Sequence, residues 1–295
     1  MTRKQTASKS YYKRKLAKIF RSAKLRHILV LVWSADAIRS GEPERINGRL
    51  KFPREALDQK PGSGYFIAPW TLETLVNETL THALAPTNPR RQLNTKLWHS
   101  FTNLYNLINN IENSESLEDV LEGEILPSIT RIGWRQFGWQ IGYRTQSRMF
   151  RAMWLYNFPE ANQHFTETNG ISLERFCFVA FAVFSQLRDY PAVRTNMSLK
   201  SAGISDAEWN ATFRIISLTS AGARRAACKE RAGVGQIAYK PSILRRWPMI
   251  LVQNGDIEEA YCPLPDLLFL RFSDGIFYDL VGEGNLRRII GERFE

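Results

Sequence analysis

The chain has 295 residues and a formal net charge of +11, so it is long enough for one large or two medium domains with cores of their own. Its three cysteines form no Cys-x-x-Cys pair and its four histidines are far apart, which disfavours a disulfide framework and a metal site built from local ligands. The N-terminal apolar run, residues 28–33, is far shorter than the roughly 20 residues of a membrane span. We therefore expect a soluble, cytoplasmic protein with reduced thiols, no cofactor and no membrane partner.

A basic arm opens the chain. Residues 1–26 contain ten Lys or Arg and no Asp or Glu, which leaves 30 basic and 29 acidic residues for the rest of the sequence. Apolar residues at helical spacing predict an amphipathic helix that runs on through residues 28–38, although Ala35-Asp36-Ala37 also imitates a signal-peptide cleavage site. The cations of this arm that we assign to contact with DNA or RNA are Lys13, Arg14, Lys15, Lys18, Arg21 and Lys24. A solvated tail and a membrane-surface helix are the alternatives.

The middle of the chain is predicted to be helical. Residues 1–40 form the arm and first helix, and the Pro- and Gly-rich stretch 41–68 is expected to be an irregular linker. Residues 69–232 are expected to form a helical domain. Its predicted helices span 69–84, 93–111, 173–187 and 206–229. Ser205 precedes the last of them and has capping-box spacing to Glu208.

An arginine-rich segment lies inside this domain, after an acidic run that begins at Glu112. Arg144, Arg148 and Arg151 fall at positions i, i+4 and i+7, so a helix places them on one face that suits contact with successive phosphates. Nearby aromatic residues such as Trp154 are suited to stacking on exposed bases. The alternative is an amphipathic core helix whose arginines pair with the acidic run.

The last segment, 233–295, predicts a small α+β module. Strands at 248–252 and 257–261 flank Asn254-Gly255, a pair that is typical of a β-hairpin turn. Two apolar helices, which we expect to be available for docking a protein partner, span 266–272 and 285–295. The predicted fold is therefore mainly α, with a helical bundle-like N-terminal domain and a small C-terminal α+β module that contains a β-hairpin.

Four stretches near the C-terminus resemble a known kind of protein. They are Tyr239-Lys240-Pro241-Ser242, Arg246-Trp247-Pro248-Met249-Ile250, Tyr261-Cys262-Pro263-Leu264-Pro265-Asp266-Leu267-Leu268 and Asp274-Gly275-Ile276-Phe277-Tyr278-Asp279-Leu280. This region is similar to the part of bacterial, defence-associated proteins that joins a helical domain to a restriction-endonuclease-like PD-(D/E)XK domain. The resemblance covers about residues 239–295 and implies an association with nucleic-acid cleavage. We expect the nuclease core to lie beyond this chain, so no catalytic residue is carried over.

Catalytic motifs are scarce in the sequence. It contains no Gly-x-Ser-x-Gly, no phosphate-cradling loop that ends in Lys-Ser/Thr and no His-Glu-x-x-His. Asp58-Gln59-Lys60 has the spacing of a nuclease triplet but lies in the irregular stretch. We therefore predict a non-catalytic component of a bacterial anti-phage defence system that contacts nucleic acid or docks a partner. A protein-interaction module without nucleic-acid binding, and a metal-independent hydrolase with a site assembled from distant residues, are the alternatives.

Overall fold

A computed structural model of the chain shows two compact units, each built from two separate stretches of sequence. Unit 1 comprises Met1–Ile141 and Ser220–Ile243, and unit 2 comprises Gly142–Thr219 and Leu244–Glu295. The structure describes residues 2–82, 93–123, 145–232, 242–282 and 284–294, with isolated positions at Leu126, Ile129, Gly133, Gln136, Trp139, Gln236 and Ile237. The fold is mainly α with a small mixed sheet in unit 2, which confirms the predicted fold class.

Helices make up most of the described residues. In chain order they are α1 (Thr2–Phe20), α2 (Leu25–Arg39), α3 (Pro69–Thr81), α4 (Trp98–Leu121), α5 (Gln146–Tyr156), α6 (Pro159–Asn169), α7 (Leu173–Gln186), α8 (Asp206–Ile216), α9 (Ser220–Ala232), α10 (Pro265–Arg271), α11 (Phe277–Leu280) and α12 (Gly284–Phe294). The strands are β1 (Ala192–Arg194), β2 (Ser217–Thr219), β3 (Met249–Asn254) and β4 (Ile257–Tyr261).

Unit 1 is a helical bundle in which α2 is largely buried. Every residue from Leu31 to Ile38 is buried, so Ala35-Asp36-Ala37 lies within a core helix. α1 packs along α4, and α3 packs against α2, α4 and α9. The apolar face that the sequence predicts for α3 is fully buried at Leu72, Leu75, Val76 and Leu80. Amphipathic helices of this kind gain most of their stability from such packing.

The arm and the apolar segment after it form two helices. α1 ends at Phe20 and α2 begins at Leu25, so the predicted continuous helix is wrong. Ser22 marks the break, because its N–H and its Oγ both donate to Ile19 O, at 2.9 and 2.8 Å. A serine hydroxyl that bonds to nearby backbone in this way competes with helix continuation. Lys24 then adopts an extended conformation ahead of α2.

The stretch 41–68 has little regular structure, but one side chain organises part of it. Gln59 Nε2 donates to Ala56 O at 2.7 Å and to Tyr65 O at 2.9 Å, and Gln59 Oε1 accepts from the Ile67 N–H at 2.9 Å. These three bonds fold the Pro- and Gly-rich chain back on itself. The central residue of the Asp-Gln-Lys triplet therefore holds a loop together.

Unit 2 contains a four-stranded sheet in the order β1-β4-β3-β2. β3 and β4 form the predicted hairpin, β1 pairs antiparallel with β4, and β2 pairs parallel with β3. Asn254 pairs with Ile257, so the turn consists of Gly255 and Asp256, one residue later than predicted. Gly255 has a φ of 64°, a conformation that glycine adopts without steric cost.

The core of unit 2 forms around α7, which packs against α6, α8 and α10. Leu268 and Phe272, within and just after α10, are fully buried in this core, and so are Leu286 and Ile290 of α12 to within a few per cent. These are the apolar faces that the sequence analysis offered to a protein partner. Most of their apolar side chains pack inside unit 2, but Phe294 at the end of α12 is 68% exposed, so docking through these helices stays a prediction.

The predicted helix at 206–229 is broken by a strand. α8 ends at Ile216, Ser217 Oγ donates to Phe213 O at 2.5 Å, and β2 then pairs with β3 from Ser217 opposite Met249. The helix resumes as α9, which belongs to unit 1, whereas α8 and β2 belong to unit 2. A three-residue strand has no periodicity of its own, so neither β1 nor β2 leaves a clear signal in the sequence.

The capping box of α8 makes a testable contribution to stability. Ser205 Oγ accepts from the Glu208 N–H at 3.3 Å, and Glu208 Oε2 accepts from the Ser205 N–H at 2.9 Å. A hydrogen bond from Arg175 Nε, followed by the bond from Ser205, lowers the pKa of Glu208 from its ordinary 4.5 to about 2. Because this pKa is lower in the folded state, the stabilisation is complete above the unfolded pKa and is lost as the pH falls toward 2.

We predict that Glu208→Gln lowers the melting temperature at neutral pH by about 2–4 °C, since Gln keeps the capping acceptor but loses the charge that faces Arg175, worth about 1 kcal/mol. The difference from the wild type should shrink steadily between about pH 5 and pH 2, because the wild-type carboxylate is protonated over that range. Calorimetry across this pH range measures the effect. Glu55→Gln removes the same charge from an exposed site and should show neither change; a loss independent of pH would contradict the role of the carboxylate.

Candidate nucleic-acid interface

The basic helix α1 is anchored to α4 by packing and by ion pairs. Leu16 and Phe20 are buried, and Lys9 Nζ donates to Glu118 Oε2 at 2.6 Å. Lys13 Nζ lies 3.3 Å from Glu115 Oε1, and the side chain of Glu115 is fully buried. The acidic run on α4 therefore forms ion pairs with Lys9 and Lys13 of the arm. α1 is an integral helix of unit 1, and the interpretation of this segment as a solvated tail is wrong.

The opposite side of α1 carries a row of exposed cations. Arg14, Lys15, Lys18 and Arg21 are exposed, and we call these four residues the exposed basic face. Three of them fall at i, i+4 and i+7; Arg21 follows the last residue of α1 but its N–H still donates to Ala17 O at 3.2 Å. Within the described part of the chain, none of the four lies within 4 Å of a carboxylate. Their charges are therefore directed to solvent.

The other two cations predicted in the arm have different surroundings. Lys13 takes part in the ion pair with Glu115 and is two-thirds buried. Lys24 is half-buried in the turn before α2, where burial, Arg26 and Lys24 together lower the pKa of His27. Neither residue belongs to the exposed basic face. Of the six predicted arm cations, four therefore lie on the exposed basic face, and Lys13 and Lys24 are partly buried.

A second cationic segment, α9, approaches the end of α1. The Phe20 ring lies 5.1 Å from the ring of His82, whose Nδ1 is 2.6 Å from Glu78 O. Burial is the main cause that lowers the pKa of His82, and the positive charges of Arg231, Arg21 and Arg224 lower it further. Arginines from the turn after α1 and from α9 therefore converge around one histidine.

α9 was not recognised as part of a basic surface from the sequence. Arg231 is partly neutralised, because its Nη2 lies 3.4 Å from Glu78 Oε2 and its Nη1 donates to Thr81 Oγ1 at 3.0 Å. Arg224 and Arg225 are exposed, and among the described residues no carboxylate lies within 4 Å of either. About 200 residues separate α9 from α1, so the only available signal was the high Lys and Arg content of Ser220–Ala232.

The predicted arginine face of residues 144–151 is only partly described. Arg144 lies outside the described residues, and α5 begins just after Thr145, whose Oγ1 accepts from the Arg148 N–H at 3.2 Å. Arg148 Nη1 lies 2.9 Å from Asp274 Oδ2, and Arg151 Nη2 lies 3.5 Å from Asp274 Oδ1. Both arginines share this carboxylate, although the Arg151 side chain remains 54% exposed. Their contact with nucleic acid stays a prediction.

Two aspartates near the C-terminus, Asp274 and Asp279, pair with arginines. Asp279 accepts two hydrogen bonds from the buried Arg271, at 2.7 and 3.0 Å. Asp274 forms ion pairs with Arg148 and Arg151. Within the described ranges, no group of three or more His, Cys, Asp or Glu side chains is placed to hold a metal ion. These carboxylates balance arginine charge.

Comparison with known proteins gives no relative for this chain: no family model, curated protein or solved structure matches it. Among the residues that the structure describes, no helix combines the length and the apolar character needed to cross a bilayer. The exposed basic face and α9 are therefore the features from which we infer a function.

The anchoring of α1 can be tested at Glu115. The Ile237 N–H donates to Glu115 Oε2 at 2.6 Å, so Glu115→Gln keeps an acceptor for that N–H but removes the charge that faces Lys9 and Lys13. We predict that this variant lowers the free energy of unfolding by roughly 1–3 kcal/mol in urea titrations. Glu122→Gln, at an exposed site just after α4, is the matched control and should change it by less than about 0.5 kcal/mol. Equal effects of the two variants would show that the ion pairs do not anchor the helix.

Proposed function

We propose that this chain is a non-catalytic component of a bacterial anti-phage defence system and that unit 1 binds DNA or RNA through the exposed basic face. The observation that carries the proposal is the division of charge around α1. Lys9 and Lys13 face the carboxylates of α4, whereas the four cations of the exposed basic face have no such partner among the described residues. Uncompensated cations on one surface attract a polyanion and release its counterions on binding.

The packing of α1 adds to this argument. A disordered basic tail loses conformational entropy when it binds, which reduces the net affinity. α1 is already ordered, because Leu16 and Phe20 are buried and two lysines are paired with α4. Its exposed cations are therefore presented at fixed helical spacing. The exposed arginines of α9 extend the basic surface to a second helix of unit 1.

The association with nucleic-acid cleavage rests on the resemblance of residues 239–295 to defence-associated proteins that carry a PD-(D/E)XK domain. Asp274 and Asp279 in that segment form ion pairs with arginines. We therefore assign this chain to nucleic-acid contact and assign cleavage to a separate nuclease domain or subunit. A metal-independent hydrolase site finds no support in the residues described above.

Protein docking without nucleic-acid binding is the second candidate function. It is favoured by exposed apolar side chains at and beyond the end of α4: Leu121, Leu126 and Ile129 are 63, 77 and 59% exposed. Exposed apolar side chains that form a contiguous patch are characteristic of protein interaction sites. The two candidate functions differ in their response to salt, because rising salt weakens contacts with phosphate but does not weaken apolar contacts in the same way.

The proposed contact predicts a steep salt dependence. If the exposed basic face neutralises about four phosphates, affinity for duplex DNA should fall roughly a hundredfold between about 50 and 200 mM salt. The triple variant Arg14→Gln/Lys18→Gln/Arg21→Gln should weaken binding at low salt and reduce the slope of log affinity against log salt by about 2–3. Fluorescence anisotropy with labelled duplex DNA and duplex RNA measures both quantities.

The matched control removes the same number of charges from exposed positions of the same unit: Lys51→Gln/Arg54→Gln/Lys60→Gln. This control should change the slope by less than about 1, since only contacts with phosphate release counterions. Equal slopes in the two triple variants would show that net charge, and not the α1 surface, drives binding. No binding even at low salt would move the assignment to protein docking.

A further inference from the structure

A second surface, in unit 2, exposes aromatic rings. Phe150 and Trp154 lie one turn apart on α5, and their side chains are 75 and 54% exposed. Tyr278 of α11 is also 75% exposed. The opposite side of α5 supplies the core, with Ala152 and Leu155 buried. The exposed rings are therefore not needed to hold α5 in place.

Side-chain contacts attach two neighbouring elements to α5. Asp274, four residues before Tyr278, receives Arg148 at 2.9 Å and Arg151 at 3.5 Å from α5. On the other side, Arg293 of α12 lies with its Cζ 5.4 Å from the Trp154 ring and donates to the Trp154 main-chain oxygen. The segment around α11 and the end of α12 are thus both attached to α5. We call Phe150, Trp154 and Tyr278 the aromatic surface.

The aromatic surface is basic as well as apolar. α5 contains two arginines and no acidic residue. Asp274 lies within 4 Å of both arginines. Arg293 lies beside Trp154, so arginine side chains from α5 and α12 flank the exposed rings. A surface of exposed rings interleaved with arginine matches a ligand that offers flat π-systems and negative charge together.

We propose that Phe150, Trp154 and Tyr278 form a stacking platform for the unpaired bases of single-stranded nucleic acid, with Arg151 beside them to contact the phosphate backbone. Bases in a duplex already stack on one another and do not present their faces to protein side chains. A single strand leaves those faces available, and aromatic stacking accepts any base. This inference rests on the proposed nucleic-acid function and adds the class of strand that unit 2 recognises.

The test compares three ligands of about equal length, each about 20 nucleotides or base pairs: oligothymidine, a strand with abasic sites in place of most bases, and a blunt duplex. Wild-type protein should bind oligothymidine at least tenfold more tightly than the abasic strand, because only the former can stack. Phe150→Ala/Tyr278→Ala should weaken oligothymidine binding roughly ten- to a hundredfold and leave duplex binding within about twofold. Both substituted residues are largely exposed, which favours folding of the variant.

The matched control is Phe178→Ala/Tyr190→Ala, which removes two exposed rings from other positions of unit 2 and should leave all three affinities unchanged. Equal binding of oligothymidine and the abasic strand by wild-type protein, or equal losses in the two double variants, would overturn the stacking platform while salt-dependent duplex binding still supports the proposed function. Absence of binding to every ligand overturns both. A concentration-dependent dimer in light scattering that Phe150→Ala/Tyr278→Ala abolishes, without base-dependent binding, assigns the surface to a second copy of this chain.

Discussion

A buried carboxylate determines how the basic helix is oriented. Burying an ionised carboxylate is costly unless charged or N–H partners surround it, and the Glu115 side chain is fully buried. Lys9 and Lys13 of α1 and the N–H of Ile237 are those partners. Because these two lysines lie on the side of α1 that faces α4, helical periodicity turns the remaining cations outward. The composition of the exposed basic face thus follows from the pairing of Lys9 and Lys13 with Glu115 together with the burial of Leu16 and Phe20.

Local patterns were sufficient to predict most of the helices and the hairpin. The apolar spacing of α3, the capping box of Ser205 and Glu208, and the apolar run of α10 each reflect short-range physics, and each reappears at or near the expected position. The strand β2 could not be found in this way, because its only cause is a ladder to β3, about thirty residues further along the chain. The same long-range pairing divides what periodicity suggests is one helix.

The candidate site was predictable in its charge but not in its arrangement. Counting residues located the basic arm, and helical spacing separated its apolar side from its polar side. Which lysines are neutralised depends on Glu115 and Glu118, whose position beside α1 is a property of the folded bundle. For Arg148 and Arg151, too, the partner is remote: Asp274 lies more than 120 residues away in sequence. Ion pairs over such separations leave no periodic signal.

Because each unit consists of two separate stretches of sequence, neither can complete its folding early in translation. Unit 1 includes Ser220–Ile243 in addition to its N-terminal stretch. The helix α9 can therefore pack onto the rest of unit 1 only after the whole of Gly142–Thr219 has left the ribosome. During that interval the surface of α3 that packs against α9 is uncovered. The strands β1 and β2 likewise lack the β3–β4 hairpin with which they pair. Neither unit can finish folding while the nascent chain is short. A nascent chain of this design spends much of translation with incomplete cores, the condition in which chaperones most often engage a polypeptide.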